Sequence, residues 1–207
     1  MERTITVTGV GTASAPPDVV VVGIEISETS ENVTTALART NDHLSTLGGI
    51  LRGFGVRDAD LRTTSTSVSP AWDPQSGRPS GHTASHGLSV VLRDQQQLNS
   101  VLSSCAEAIG NALNIHRISL EVADPTSLRA AAREAAFGDA RAKADQLAGL
   151  AGASLGAVLT IGEPGEGQAA PLAREMYLAS AGKDNGPGFE AGENTESCAL
   201  VVTFALD

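Results

Sequence analysis

The sequence contains one pattern associated with nucleophilic catalysis, the segment Gly152-Ala153-Ser154-Leu155-Gly156, which matches the G-x-S-x-G motif of serine hydrolases. In those enzymes a strand precedes the serine and a helix follows it, so that the hydroxyl is exposed on a tight turn. The order predicted here is reversed, because a long helix precedes Ser154 and a strand follows it. We therefore interpret the segment as a helix-to-strand turn and predict no catalytic residue in it.

The glycines near the start of the sequence do not form a nucleotide site. Gly9 and Gly11 lack the third glycine of the dinucleotide-binding fingerprint, and Pro16-Pro17 follows them where that fingerprint requires a helix. The sequence also has no G-x-x-x-x-G-K-[ST] pattern. We accordingly predict no cofactor.

The four histidines are not spaced as metal ligands. His82 and His86 share one face of a predicted strand, where four residues at ~3.3 Å each place them ~13 Å apart, too far to share one metal ion. His43 lies off the apolar stripe of a predicted helix and is expected to be solvent-exposed, while His116 lies near the start of a strand. We predict that all four are structural or surface residues and that no metal is bound.

The two cysteines, Cys105 and Cys198, fall on predicted apolar faces, which favours buried thiols. A disulfide between them is the alternative, because their distance in the fold cannot be derived from the sequence. Neither belongs to a C-x-x-C pair or to a metal-ligand spacing.

The overall composition excludes several classes of partner. The net charge is −10 and no Lys or Arg cluster stands out, so nucleic acid and anionic membranes are disfavoured. Aromatic residues make up only 3% of the chain, too few for a base-stacking platform. No run of 18 apolar residues predicts a transmembrane segment. Met1-Glu2-Arg3 leads directly into a strand without a signal-peptide pattern, so we expect either a cytoplasmic protein or one whose signal has been removed.

Hydrophobic periodicity predicts two helices in the first half of the chain. The first has apolar residues at alternating steps of four and three: Val33, Leu37, Thr40, Leu44, Leu47, Leu51 and Phe54. The second spans 94–110, starts with a capping pair of Asp94 and Gln97, and has one buried stripe. That stripe contains Leu98, Val101, Leu102, Cys105 and Ile109.

A third helix, over about 124–152, is marked at both ends. Asp124 is a capping residue, Pro125 suits the first helical position, and Gly152 suits a left-handed stop. Its predicted stripe consists mostly of small residues: Leu128, Ala131, Ala135, Gly138 and Ala142. Such residues predict a helix that lies close to a sheet. Asp139 and Lys143 are interpreted as a surface ion pair worth a few tenths of a kcal/mol.

Seven segments have the residue types and alternation of strands, and they do not alternate strictly one by one with the helices. They begin near residue 4 and cover 19–29, 61–72, 82–93, 114–122, 157–163 and 196–206. In the first, Ile5, Val7 and Val10 are expected to face the core. The third is almost entirely polar, which predicts a sheet edge over about 61–68. This order favours an α+β fold with mostly antiparallel strands and three main helices packed on the sheet, rather than a doubly wound sheet.

We expect one domain over 1–207, or two intertwined subdomains. Within it, 164–195 is predicted to be a flexible excursion, because the segment is rich in glycine, proline and acidic residues. Its acidic residues do not have the spacing of an EF-hand, and no calcium site is predicted there.

Three stretches of the chain resemble the SIMPL domain family (DUF541). The first is the run ITVTGVGTASAPPD followed by VVVVGIEIS, and the second is the central hairpin LRTTSTSVSPAWD…GHTASHGLSVVLRD. The third is the helix and strand carrying Asp139-Ala140-Arg141-Ala142-Lys143-Ala144, then Ala151-Gly152 and Leu155-Gly156. The resemblance covers nearly the whole chain.

The resemblance implies an α+β fold and brings no shared catalytic residues. It also implies relatives that are periplasmic, secreted or associated with the cell envelope, some linked to oxidative stress, some self-assembling, and one eukaryotic signalling adaptor. We therefore expect a non-enzymatic module that binds protein, including a second copy of itself. The alternative is a small-ligand carrier or an enzyme of unrecognised type, with a pocket formed by the 73–86 hairpin and the 164–195 loop.

Overall fold

The structure is a computed structural model that describes residues 3–73, 75–164 and 192–207. It has seven strands in two antiparallel sheets and three long helices, which confirms the predicted α+β class. The helices are α1 (Val33–Gly53), α2 (Leu98–Ile109) and α3 (Thr126–Leu150). The strands are β1 (Thr4–Ala15), β2 (Val19–Ser30), β3 (Leu61–Trp72), β4 (Pro79–Leu92), β5 (Leu113–Glu121), β6 (Leu155–Gly162) and β7 (Asn194–Leu206).

The chain divides into two compact units, Met1–Pro17 with Val122–Asp207, and Asp18–Glu121. The first unit contains sheet 1, with strand order β1-β7-β6, and helix α3. The second contains sheet 2, with strand order β3-β4-β2-β5, and helices α1 and α2. Each unit buries its own apolar core between helix and sheet.

The core of the first unit is built from a helix of alanines on three strands. Val202 and Phe204 of β7 are buried, as predicted for that strand, and they pack against Ala136 and Ala140 of α3. The predicted stripe of α3 is wrong except at Leu128, because alanine occurs on several faces and gives no contrast between them. The buried positions are Leu128, Ala132, Ala136, Ala140, Ala144 and Ala148.

Strand β1 differs from its prediction at Val10. This residue is 37% exposed and points away from the core, because its side chain is on the same face as those of Thr4, Thr6 and Thr8 and not on that of Val7. Gly9 and Gly11 lie within the strand, which continues to Ala15 and pairs with β7 along its whole length. Both glycines are buried beneath α3.

The core of the second unit forms where α1 and α2 cover β2 and β4. The predicted stripes are confirmed at Thr40, Leu47 and Leu51 of α1 and along α2, whose buried residues include Cys105. Leu37 is 37% exposed, however, and Ala36 takes its place against the sheet.

Strand β3 lies at one edge of sheet 2, as predicted, and ten of its twelve residues are exposed. Strand β5 lies at the other edge and carries a bulge opposite Gly23 and Ile24. The bulge shifts the register, so that Ile24 pairs with Ile115 and His116 is left exposed.

Of the predicted 164–195 excursion, residues 165–191 lie outside the described part of the chain, and Asn194 and Thr195 already belong to β7. No helix among the described residues is long and apolar enough to cross a membrane.

Candidate functional site

Ser154 lies where the sequence places it, in the turn between α3 and β6. Its backbone N–H and C=O exchange hydrogen bonds of 3.1 and 3.0 Å with Asp207. The preceding Gly152 has a φ of +66°, the left-handed value expected after a helix end. The segment is thus a helix-to-strand turn that holds the end of β7, and it does not have the geometry of a nucleophile elbow.

His86, His82 and His43 lie in different environments. The two ring nitrogens of His86 lie 3.1 Å from Thr66 Oγ1 and 3.3 Å from Thr63 Oγ1, across the β3–β4 pair. His82 Nδ1 is buried and makes no hydrogen bond. His43 is not solvent-exposed as expected, since its Nε2 lies 3.1 Å from Glu28 Oε1 and its side chain is half-buried. In 3–73, 75–164 and 192–207, no three His, Cys, Asp or Glu side chains converge as metal ligands would.

The 73–86 hairpin is closed by its own backbone. Asp73 Oδ1 accepts hydrogen bonds of 2.8 Å from the N–H groups of Gln75 and Ser76, and these bonds lower the pKa of the Asp73 carboxyl. A shallow groove of about 200 Å³ lies between α1 and the sheet, and His86 is the only described residue of the 73–86 hairpin that lines it. It is lined mainly by leucines of α1, β3 and β4, with His86 in its floor and Arg52 at its rim.

A second feature of this unit is a buried carboxylate between two arginines. The side chain of Asp60 is only 7% exposed and receives bidentate hydrogen bonds from Arg57 (2.7 and 3.1 Å) and Arg93 (3.2 and 2.9 Å). These bonds hold the pKa of the Asp60 carboxyl well below its usual range. The three side chains tie the turn before β3 to the end of β4, so we assign them a structural role.

Strand β6, at the edge of sheet 1, exposes three aliphatic side chains. Val158, Leu159 and Ile161 are 40%, 45% and 57% exposed. Val158 and Ile161 pair with Phe204 and Val202, so they point toward the helix side of the sheet. They are nevertheless uncovered, because α3 packs on β1 and β7 and barely reaches β6.

A groove of about 280 Å³ runs between α3 and this edge. Phe137 and Phe204 line it, and Val158 forms part of the β6 wall. On the helix side it is lined by Arg141 and Asp145, which are exposed. A strand edge and an apolar groove with one cation and one anion therefore lie side by side. The sequence did not reveal this site, because which strand ends a sheet depends on topology and not on the strand itself.

The opposite edge of sheet 1 is occupied by side chains of α3. Asp139 Oδ2 accepts a hydrogen bond of 2.7 Å from the backbone N–H of Val10, and Lys143 Nζ donates one of 3.1 Å to the carbonyl of Thr8. Asp139 and Lys143 also form the ion pair expected from the sequence, at 2.6 Å. Both side chains thus contact the outer backbone of β1, which sequence spacing alone did not indicate.

The thiols of Cys105 and Cys198 are both free, so the alternative of a disulfide is not observed. Cys105 is fully buried in the second unit, and Cys198 is half-buried in the first. Burial raises the pKa of each thiol.

Comparison with known proteins identifies relatives that cover most of the chain. A 26 kDa periplasmic immunogenic protein of Brucella melitensis is 26% identical over 213 residues, covering 98% of this chain and 84% of the relative. The uncharacterized protein YggE of Escherichia coli K12 is 27% identical over 180 residues, covering 86% of this chain and 72% of the relative. Neither name describes an enzyme. The family model SIMPL, a protein of unknown function (DUF541), matches residues 5–204, and the chain therefore belongs to the SIMPL family.

Proposed function

We propose that this protein is a non-enzymatic module that binds protein through strand β6, and that its partner there is a second copy of the chain. One observation carries the proposal: the edge strand of sheet 1 exposes Val158, Leu159 and Ile161 at 40–57%. Apolar side chains on an edge strand favour pairing with another strand, which would bury them and satisfy the outer backbone groups.

The sequence of β6 lacks the usual protection against such pairing. Natural edge strands are commonly blocked by charged side chains or proline. Leu155–Gly162 contains neither a charged residue nor a proline. The strand has register irregularities at Val158 and Thr160, but its apolar side chains are still exposed. This edge is therefore the most favourable one for association in the described part of sheet 1.

The groove beside β6 favours a second copy over an unrelated partner. Arg141 and Asp145 carry opposite charges and lie one helical turn apart on its wall. Around a two-fold axis, the same patch meets itself, so Arg141 of one copy would face Asp145 of the other. A surface with one cation and one anion beside an uncharged strand is thus complementary to itself.

The mass of the protein in solution tests this proposal. We expect the wild type to form a discrete dimer, measured by size-exclusion chromatography with light scattering at two concentrations. Ile161→Lys should halve the mass, because a charge at an edge opposes strand pairing. The matched control is Leu150→Lys, which places the same charge at a more exposed leucine, 79% exposed, at the end of α3. A monomeric wild type, or an Ile161→Lys variant of unchanged mass, would refute assembly through β6.

Strand β3 provides a second edge against which this assignment can be checked. It has one charged residue, Arg62, and one proline, Pro70, neither of which occurs in β6, while register irregularities occur in both strands. These features protect it better than β6 is protected. If assembly used β3 instead, Thr66→Pro would lower the mass and Ile161→Lys would not.

The small-ligand carrier is retained as a second candidate because of the groove beside His86. With about 200 Å³ and a leucine lining, it would admit only a small apolar compound with one polar group. A melting-temperature screen over compound classes tests this alternative, since a ligand present at 100 times its Kd stabilises by about 2.7 kcal/mol. A rise in melting temperature that is lost in the Leu88→Arg variant would favour the small-ligand carrier. If no compound in the panel raises the melting temperature, this alternative is refuted.

We further propose that the protein acts in the periplasm or at the cell envelope, with a role linked to stress. The name of the Brucella relative supports the compartment for that protein, and the family assignment extends the idea to this one. Fractionation of the natural host tests it: recovery with periplasmic markers is expected, and recovery with cytoplasmic markers alone would refute it. Loss of survival under oxidant in a deletion strain, restored by the gene, is the expected test of the stress role.

A further inference from the structure

Two side chains of α3 make the hydrogen bonds that a neighbouring strand would make with β1. Strand β1 is an edge of sheet 1 and pairs with β7 without a bulge. Val10 N–H is bound by Asp139 on its outer side, so residues of the same parity, including Thr8, also direct their N–H and C=O groups outward. Asp139 accepts from Val10 and Lys143 donates to Thr8, at 2.7 and 3.1 Å.

This pair imitates a residue of an added strand. In a parallel ladder, one residue donates its N–H to the carbonyl of residue i−1 and accepts from the N–H of residue i+1 of its neighbour. Thr8 and Val10 are such positions around Gly9. Lys143 supplies the donor and Asp139 the acceptor, and the 2.6 Å contact between them fixes both in place. The middle of the β1 edge is therefore already satisfied.

We propose that Asp139 and Lys143 close the β1 edge to strand addition, so that sheet 1 accepts a second chain only at β6. This inference rests on the proposed assembly through β6. With both edges open, β6 of one copy could pair with β1 of the next, a head-to-tail contact that continues without limit unless it closes into a ring. With β1 closed, the only edge of sheet 1 to which β6 can pair is β6 of another copy, and assembly through this sheet stops at two copies.

The ionisation and the exposure of the Asp139 and Lys143 side chains are consistent with closure of the β1 edge. Hydrogen bonds from Lys143 and from the Val10 N–H lower the pKa of the Asp139 carboxyl, so the acceptor stays ionised at neutral pH. The side chains are 35% and 45% exposed, which places them at the surface where an incoming strand would arrive. Their charges also make the edge costly to desolvate.

The first test is amide hydrogen exchange along β1. In the wild type, the Val10 amide should exchange slowly, whereas the outward amides of Thr6 and Thr12 should exchange fast and serve as internal controls. In Asp139→Ala/Lys143→Ala, exchange at Val10 should accelerate about tenfold or more, the loss expected for one hydrogen bond to a charged group. Unchanged exchange at Val10 would overturn the proposal.

The second test is the mass of the same double variant. Alanine is the best helix former and both side chains are exposed, so α3 should remain folded. We expect species larger than the wild type that grow with concentration and disappear when Ile161→Lys is added. Lys143→Ala alone frees only the Thr8 carbonyl, so the species it forms should be smaller than those of the double variant. If the double variant keeps the wild-type mass at every concentration, Asp139 and Lys143 do not close the edge.

A matched control removes another exposed ion pair. Arg52→Ala/Asp58→Ala deletes one cation and one anion, 61% and 80% exposed, without touching a strand edge, and should leave the mass unchanged. The two proposals fail in different ways. A monomeric wild type refutes assembly through β6, whereas the closure of β1 is judged from the difference between the double variant and the wild type.

Discussion

Gly9 of β1 lies directly beneath Ala140 of α3: a Cβ on Gly9 would stand 2.7 Å from the Ala140 Cβ and 2.6 Å from the Ala140 backbone N. Gly11 has the same relation to the preceding turn, where its Cβ would lie 2.7 Å from the carbonyl carbon of Ala135. The close approach of helix to strand brings Asp139 and Lys143 within reach of the β1 backbone. Because α3 packs on β1 and β7, it also leaves β6 uncovered at the other edge of the sheet.

Gly9→Ala should therefore destabilise the protein by about 3 kcal/mol, at the upper end of the range for overpacking. The added methyl group would meet helix backbone, which cannot move aside as a side chain can. Urea unfolding measures the change. The control is Gly138→Ala in α3, where a Cβ meets nothing within 4 Å and better helix propensity should add about 1 kcal/mol. Equal midpoints for Gly9→Ala and the wild type would contradict the close approach.

The sequence predicts that α3 lies close to a sheet, but not which face does so. A helix rich in alanine has little hydrophobic contrast, and the stripe of Leu128, Ala131 and Ala135 is as plausible as the observed one. The choice is made by Gly9 and Gly11, more than 100 residues away in the sequence. For the same reason, the sequence reveals the Asp139–Lys143 pair but not its contact with β1.

The carboxyl of Asp60 should make stability depend on pH. Its pKa is held far below the ordinary aspartate value of 3.8 by hydrogen bonds from Arg57 and Arg93. Because the folded state lowers this pKa, the contribution is fully present above pH 3.8 and is lost progressively as the pH falls through the folded pKa. Asp60→Asn should cost about 2 kcal/mol at pH 7, since both arginines are half-exposed and partly screened.

Urea midpoints of the wild type and Asp60→Asn from pH 7 to pH 2 measure this effect. The midpoint of the wild type should exceed that of Asp60→Asn by a constant amount down to about pH 4, and the difference between the two midpoints should become smaller below that pH. Asp58→Asn is the control, because Asp58 is 80% exposed and its pair with Arg52 should contribute little. A difference that is absent at pH 7 would show that the two arginines do not stabilise the turn before β3.

The candidate site shows the same limit of sequence reasoning as the fold. Strand β3 was identified as an edge because almost all its residues are polar, and polar residues on both faces mean that nothing covers them. The sequence of β6 indicates a buried strand and not an edge, since Val158, Leu159 and Ile161 are typical of strands in a core. Its position at an edge follows from β7, which joins the sheet between β1 and β6.

The hydroxyl of Thr40 contributes to the core of the second unit. Thr40 is 3% exposed, and its Oγ1 donates toward the carbonyls of Ala36 at 2.9 Å and Ala84 at 3.3 Å. Thr40→Val keeps the shape but removes the donor, and should cost about 1 kcal/mol in urea unfolding. Thr46→Val is the control, because Thr46 makes the same bond to residue i−4 at the surface. If both variants have the same midpoint, the buried hydroxyl adds nothing.

The two thiols should differ in reactivity although both are reduced. Cys105 is fully buried, so a reagent cannot reach its thiol, and burial raises the pKa of that thiol, so little thiolate forms. Cys198 is half-buried, and its pKa is raised by burial and by the charge of Glu163, so it should react slowly. Titration with a chromogenic disulfide reagent should give one equivalent from the native protein and two in denaturant. Cys198→Ser should abolish the native reaction and leave one equivalent in denaturant. Two equivalents from the native wild type would mean that the core around Cys105 opens.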